Sequence, residues 1–246
     1  MSAPRVALVT GAARGMGRAH ALTLSQAGWA VAICDVLADP LMAVAAEIGG
    51  SGGQVRAYSG DLTEPGLASG IAQDVSTWGV LAGLVNNAGI GSPPVMFDKL
   101  TTEDFTRMFE VHVICAVRCI QAALPQMRSI GFGRVVTVAS YCAFSGSVGY
   151  AHYCTAKAAV VGLTHCLARE TAADGITVNA IAPGLVETPM TASDSPEARE
   201  RARAGIPVGR YGTPQEVSAM VRYLLSDEAA FVTGQVLRID GGMVMA

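Results

Sequence analysis

The chain has 246 residues, 51% of them hydrophobic and 15% charged, with a formal net charge of −3. That length suits one large α/β domain with a sizeable core, residues 1–246, and the lack of a basic block gives nucleic-acid binding no support. No apolar run reaches the roughly 18 residues of a membrane span, and Met1-Ser-Ala-Pro-Arg5 runs into a strand without a secretory signal, so a cytoplasmic protein is expected.

The first predicted element is the apolar strand Arg5 to Thr10, followed by Gly11-Ala-Ala-Arg14-Gly15-Met16-Gly17 and a helix from Arg18 to Ala27. Strand, glycine turn and helix in that order form the context of a dinucleotide site. The glycines let backbone approach a pyrophosphate, and the helix N-terminus offers amide donors and a favourable dipole. A tight turn without a ligand is the plainer alternative. Trp29 to Asp35 is a second apolar strand, ending in an acid about 20 residues past the glycines. There a carboxylate accepts from an adenosine ribose and repels a 2′-phosphate, which points to NAD. Arg14 dissents, being placed to meet a phosphate.

Helix 40–48, strand 54–59, Gly60-Asp61-Leu62-Thr63, helix 64–77 and strand Leu81 to Val85 continue the alternation. Asp61 suits either an adenine amine or a helix cap. Asn86-Asn87-Ala88-Gly89 closes the fourth strand, with amides to bridge neighbouring strands and small residues to leave room for a ribose. A long helix from Thr102 to Arg128 follows, with Pro125 expected to kink its end. The fifth strand, Arg134 to Ala139, leads into Ser140, and helix 150–173 carries Tyr153 and Lys157. After strand Ile176 to Ala182 and Pro183-Gly184, residues 185–212 read as irregular and as a candidate substrate lid. Helix 214–226 and strand Val236 to Ile239 end the pattern. Strands alternating with helices predict a Rossmann-type, doubly wound parallel sheet covered on both faces.

Tyr153 and Lys157 are four apart and share a helix face. Ser140 ends a strand, where ligands of open α/β sheets bind. A phenol titrates near about 10, and a neighbouring cation favours the phenolate, so the trio suits acid–base work on a carbinol or carbonyl. Cys34, Cys115, Cys119, Cys142, Cys154 and Cys166 form no CxxC pair and read as buried free thiols. The four histidines show no metal-ligand spacing, and no metal is expected.

Together these residues resemble the short-chain dehydrogenase/reductase family over essentially the whole chain. The motifs are Thr10-Gly-x-x-x-Gly15-x-Gly17, Asp61, Asn86-Asn-Ala-Gly, Ser140, Tyr153-x-x-x-Lys157, Pro183-Gly184, Thr188 and the closing Asp240-Gly-Gly. The resemblance implies a nicotinamide cofactor and a homotetramer packed through the helices at 102–128 and 150–173. It makes Tyr153 the acid/base, and gives Lys157 the tasks of holding the nicotinamide ribose and lowering the Tyr153 pKa. Ser140 binds the substrate oxygen, while backbone at 183–186, Val186 included, and the Thr188 hydroxyl orient the carboxamide. Two departures stand out. His112 occupies the position of the family's relay Asn, as a replacement or as packing. Gly131 and Asp174 stand where the family's 3-oxoacyl-carrier-protein reductases place basic docking residues.

The resulting expectation is an NAD-dependent dehydrogenase/reductase for a small secondary alcohol or ketone. The alternatives are a 3-oxoacyl-carrier-protein reductase and, from another class, a non-catalytic NAD-sensing protein, which would be expected to have lost Tyr153 or Lys157.

Overall fold

The computed structural model describes residues 3–192 and 195–245. Seven short runs rich in β-branched and small apolar residues form one sheet: β1 Arg5–Thr10, β2 Ala30–Asp35, β3 Val55–Ser59, β4 Val80–Asn86, β5 Gly133–Val138, β6 Ile176–Pro183 and β7 Val236–Ile239. The order is β3-β2-β1-β4-β5-β6-β7, and every pairing is parallel. A parallel sheet is covered on both faces, so its central strands are continuously apolar rather than alternating. Val6 to Val9, Leu84, Val85 and Val136 are at most 1% exposed, each of the Val and Leu side chains contributing about 1.5–3 kcal/mol by leaving water.

The helices are α1 Gly15–Gln26, α2 Ala38–Gly50, α3 Leu67–Val75, α4 Thr102–Phe109, α5 Cys115–Ser129, α6 Cys142–Ser145, α7 Ala151–Thr171, α8 Pro196–Ala204 and α9 Pro214–Leu225. Leu24 of α1, Leu41 of α2 and Val221 of α9 belong to the core on one face of the sheet. Ile71 of α3, Ile120 of α5 and Ala168 of α7 belong to that on the other. Strand order reverses between β1 and β4, so the loops beyond their carboxyl ends diverge and leave a crevice.

Several elements differ from expectation. The predicted helix from Thr102 to Arg128 is α4 and α5 joined by a wider π-turn, Glu110–Ile114, that carries His112. Pro125 lies inside α5, which continues to Ser129. Among the described residues, Thr102–Ser129 is the stretch long and apolar enough to cross a membrane; its buried residues Ile120, Ala123 and Met127 pack into the core beside β4. The helix predicted at 64–77 starts at Leu67, because Gly66 takes a left-handed conformation (φ 94°) that no helix continues. Residues 185–212 include α8, started by Ser195 accepting from the Ala198 amide and by Pro196 in the first turn. Ser193 and Asp194 of that region lie outside the described residues. Cys34, Cys115, Cys119 and Cys142 are buried thiols, but Cys166 is exposed on the outer side of α7 and Cys154 is half-buried.

Candidate active site

A cleft of about 1160 Å³ opens at the switch point. Its floor is the glycine turn. Gly11 and Gly15 have φ of 65° and 56°, conformations that L side chains rarely adopt. A Cβ on Gly17 would lie 1.9 Å from the Gly11 carbonyl oxygen, so only glycine lets α1 start this close to β1. Arg14, at the N-cap of α1, makes no side-chain capping bond, and the first turn holds no acid. The leading amides of α1 thus lack a side-chain partner and point their dipole at the cleft, which fits a pyrophosphate. Arg14 and Met16 also line the cleft.

At one end Asp35 is fixed by two backbone donors: Ala13 N–H to Oδ2 at 2.9 Å and Leu37 N–H to Oδ1 at 3.0 Å. Its carboxylate therefore holds the glycine turn while lining the cleft. Asp61 and Leu62 line it as well, with Asp61 Oδ1 accepting from Thr63 N–H at 2.9 Å in a turn short of α3. The helix-cap reading of Asp61 is corrected: the turn it closes precedes α3, whose N-cap is Gly66.

The Asn-Asn-Ala-Gly segment is tied to β1 through Thr10, a residue that sequence reasoning did not single out for a role. The Thr10 hydroxyl accepts from the Asn87 and Ala88 amides, both at 3.0 Å. Asn87 Nδ2 donates to the Thr10 and Gly11 carbonyls at 2.9 and 3.2 Å. Asn87, Ala88 and Gly89 line the cleft. Asn86 does not, correcting its assignment as a cofactor contact: it is buried behind the cleft, with Nδ2 donating to Thr137 Oγ1 on β5 at 3.3 Å.

The three residues expected to be catalytic, Ser140, Tyr153 and Lys157, converge from the end of β5 and from α7. Ser140 Oγ accepts from Cys142 N–H at 3.3 Å, leaving its own proton free to donate. The Ser140 hydroxyl and the Tyr153 phenol both line the cleft, and Ser140 favours the deprotonated phenol. Lys157 lies behind the Tyr153 ring, 5.7 Å from its centroid, and donates to the Val138 carbonyl at 2.7 Å. Tyr153 was expected to be acidified by Lys157, but desolvation dominates: it pushes the phenol up to about 12, with Ser140 acting the other way. Burial also pulls Lys157 down to about 7, disfavouring the cation that would stabilise a phenolate.

His112 packs edge-to-face on Tyr153, ring centroids 5.3 Å apart, and its Nε2 lies 3.0 Å from the Ile90 carbonyl. Burial, then Lys157, lowers its pKa to about 3, so the ring is neutral. Gly89 makes room for it, since a Cβ there would lie 2.6 Å from His112 Cε1. Across the cleft stand Pro183, Gly184, Val186 and Thr188. Val186 is bridged to Gly212, and the Thr188 amide donates to Thr191 Oγ1 at 3.2 Å. Met190, 56% exposed, leans over Gly91 at the open end.

Residues 11–244 match the family model described as Enoyl-(Acyl carrier protein) reductase. The chain is 37% identical to the 3-oxoacyl-[acyl-carrier-protein] reductase FabG of Thermotoga maritima, over 98% of each chain. It is 36% identical to the Escherichia coli enzyme of the same name, again over 98% of each. Among solved structures it resembles a putative NAD(P)-dependent gluconate 5-dehydrogenase from Beutenbergia cavernae with bound NADP, with a TM-score of 0.92 and 37% identity over 98% of this chain and 97% of that one. YwfH, an NADPH-dependent reductase of bacilysin biosynthesis, gives 0.91 and 28% over 99% of each.

Proposed function

The chain belongs to the short-chain dehydrogenase/reductase family of nicotinamide-linked oxidoreductases, and from that premise we propose that it reduces the ketone of a 3-oxoacyl thioester to the secondary alcohol within one cofactor-binding and catalytic unit. The full-length likeness to 3-oxoacyl-carrier-protein reductases supports the substrate class. The observation that carries the chemistry is the convergence of Ser140 and Tyr153 on the cleft, with Lys157 5.7 Å from the Tyr153 ring centroid.

The glycine turn, the α1 N-terminus and Asp35 would hold the dinucleotide, with Thr188 and the 183–186 backbone at its nicotinamide end. When bound, that group supplies the hydride. Ser140 donates to the ketone oxygen and stabilises the charge that develops there. Tyr153, kept protonated at neutral pH by its raised pKa, gives its proton to the same oxygen as the carbinol forms. Lys157 restrains the phenol from behind. Acetoacetyl-coenzyme A reduction, followed by loss of NADH or NADPH absorbance, tests the reading; no turnover with either cofactor contradicts it.

A second reading, NAD-linked interconversion of a small secondary alcohol and its ketone, is favoured by two observations. Asp35 brings negative charge to the cleft where a 2′-phosphate would sit. Asp174 stands at one expected docking position and is ion-paired to Arg128 at 2.8 Å, so the surface there offers an acidic carrier little free positive charge. Asp35 makes NAD(H) the proposed cofactor under either reading. Turnover of short secondary alcohols with NAD, without turnover of the thioester, selects the second.

A further inference from the structure

Behind the cleft lies a second, small cavity of about 10 Å³, lined by residues of β1, β4, β5, the π-turn and α5. One ordered water needs roughly 10–15 Å³ measured in this way, so the space admits one and no larger guest. Two of its lining residues, Asn86 and His112, are 6% and 4% exposed. Each has one polar atom without a protein partner: Asn86 Oδ1 and His112 Nδ1. Buried polar atoms in folded proteins are rarely left unsatisfied.

The remaining bonds of these two side chains define what the cavity must hold. Asn86 spends its Nδ2 on Thr137 Oγ1, which leaves Oδ1 as a pure acceptor. His112 Nε2 lies 3.0 Å from the Ile90 carbonyl oxygen and 3.4 Å from the Ile90 amide nitrogen. The shorter contact, between two acceptors unless Nε2 is protonated, places the ring proton on Nε2, and in a neutral imidazole Nδ1 is then an acceptor too. Both side chains line the same water-sized space, and one molecule that satisfies two acceptors must be a donor with two hydrogens.

We propose that this cavity holds a structural water donating to both Asn86 Oδ1 and His112 Nδ1, and that the bridge makes Asn86 a positioning residue for the active site. The water fixes the Nε2–H tautomer of His112. That tautomer donates to Ile90 and so holds the 87–91 loop against the cleft, and it sets the imidazole edge against the Tyr153 ring. The chain runs from β5 through Thr137, Asn86 and the water to His112, and then divides to Ile90 and Tyr153. The role assigned to Asn86 rests on the catalytic reading of Tyr153, whereas the water and the tautomer stand apart from any activity.

The test begins with a high-resolution crystal structure of the full chain. One density peak within hydrogen-bonding distance of both atoms is expected; a dry cavity overturns the proposal. In parallel, ¹⁵N-histidine NMR of the full chain, with the His112 signals assigned by their loss in His112→Asn, should show a protonated Nε2 and a hydrogen-bonded, unprotonated Nδ1. A protonated Nδ1 overturns it. In Asn86→Leu the Nδ1 resonance should move toward that of a weaker acceptor bond. Turnover should fall roughly five- to tenfold, the size of one net hydrogen bond, with the cofactor KM unchanged. Thr137→Val shares the disturbance to the strands but keeps the Oδ1 side, so its Nδ1 resonance should stay at the parent position. An unmoved Nδ1 in Asn86→Leu, or the same movement in both variants, contradicts the bridge. Should Asn86→Leu fail to fold, the parent's density and tautomer decide.

Discussion

Asp35 has two tasks at once, and they predict different losses. Its oxygens hold the Ala13 and Leu37 amides, while its carboxylate lines the cleft where the proposed cofactor's ribose would bind. Asp35→Ala should narrow the preference for NAD over NADP. A hydrogen bond to a carboxylate is worth about 1.5–3 kcal/mol, or one to two decades in affinity. Titrations of both cofactors against parent and variant check this, and equal or tighter NADP binding by the parent would contradict the assignment. His112 was legible as a departure from the family pattern, but its bond to Ile90 and its packing on Tyr153 were not, because both partners are distant in sequence. His112→Ala should lower turnover with cofactor affinity nearly unchanged, and His112→Asn should retain substantial activity; full activity in a stable Ala variant would reduce His112 to packing. Lys157 gives a stability prediction with a definite sign. Its pKa falls from 10.5 unfolded to about 7 folded, so between those values the unfolded chain binds more protons and stability rises with pH. Lys157→Met should accordingly be more stable than the parent at pH 6, an advantage that shrinks toward pH 10 in thermal unfolding. An advantage that does not vary with pH would contradict the buried-charge account.

The glycine turn is the element whose geometry is most tightly specified. Gly17→Ala places a Cβ against the Gly11 carbonyl and within 2.6 Å of Asn87 Nδ2. Calorimetry should show lost cofactor binding together with a lower Tm, since the same residues join β1, α1 and the β4 loop. Retained affinity would mean that the dinucleotide lies elsewhere. This turn was readable because three glycines between an apolar strand and a helix form a recognisable spacing. The π-turn was not: Glu110-Val-His-Val-Ile is ordinary helical sequence, and the extra residue per turn arises from tertiary packing around Tyr153, Gly89 and Ile90. α8 was missed for another reason. Its body, Glu197-Ala-Arg-Glu-Arg-Ala-Arg, has no apolar periodicity to report a buried face, although Ser195-Pro196-Glu197 carried a start signal that could have found it.

At the scale of the whole molecule, the sheet and its switch point were legible because β1, β2 and β4 carry long apolar runs that close on Gly11, Asp35 and Asn86. That pattern suits only a sheet buried on both sides. The placement of Ser140, Tyr153 and Lys157 at one cleft wall follows from that topology. Their electrostatics do not, because desolvation depends on neighbours that local sequence cannot count. The proposed homotetramer, packed through α4, α5 and α7, predicts sedimentation at four times the chain mass. The central claim is that Tyr153 exchanges the substrate proton, and it is tested most directly by ketone-dependent oxidation of NADH in Tyr153→Phe, which removes one oxygen and leaves the ring. With folding and cofactor binding retained, turnover should fall by at least about 10²–10⁴-fold, the usual contribution of general acid–base catalysis. Undiminished turnover in that variant would contradict the account and place the chemistry away from the Ser140–Tyr153 pair.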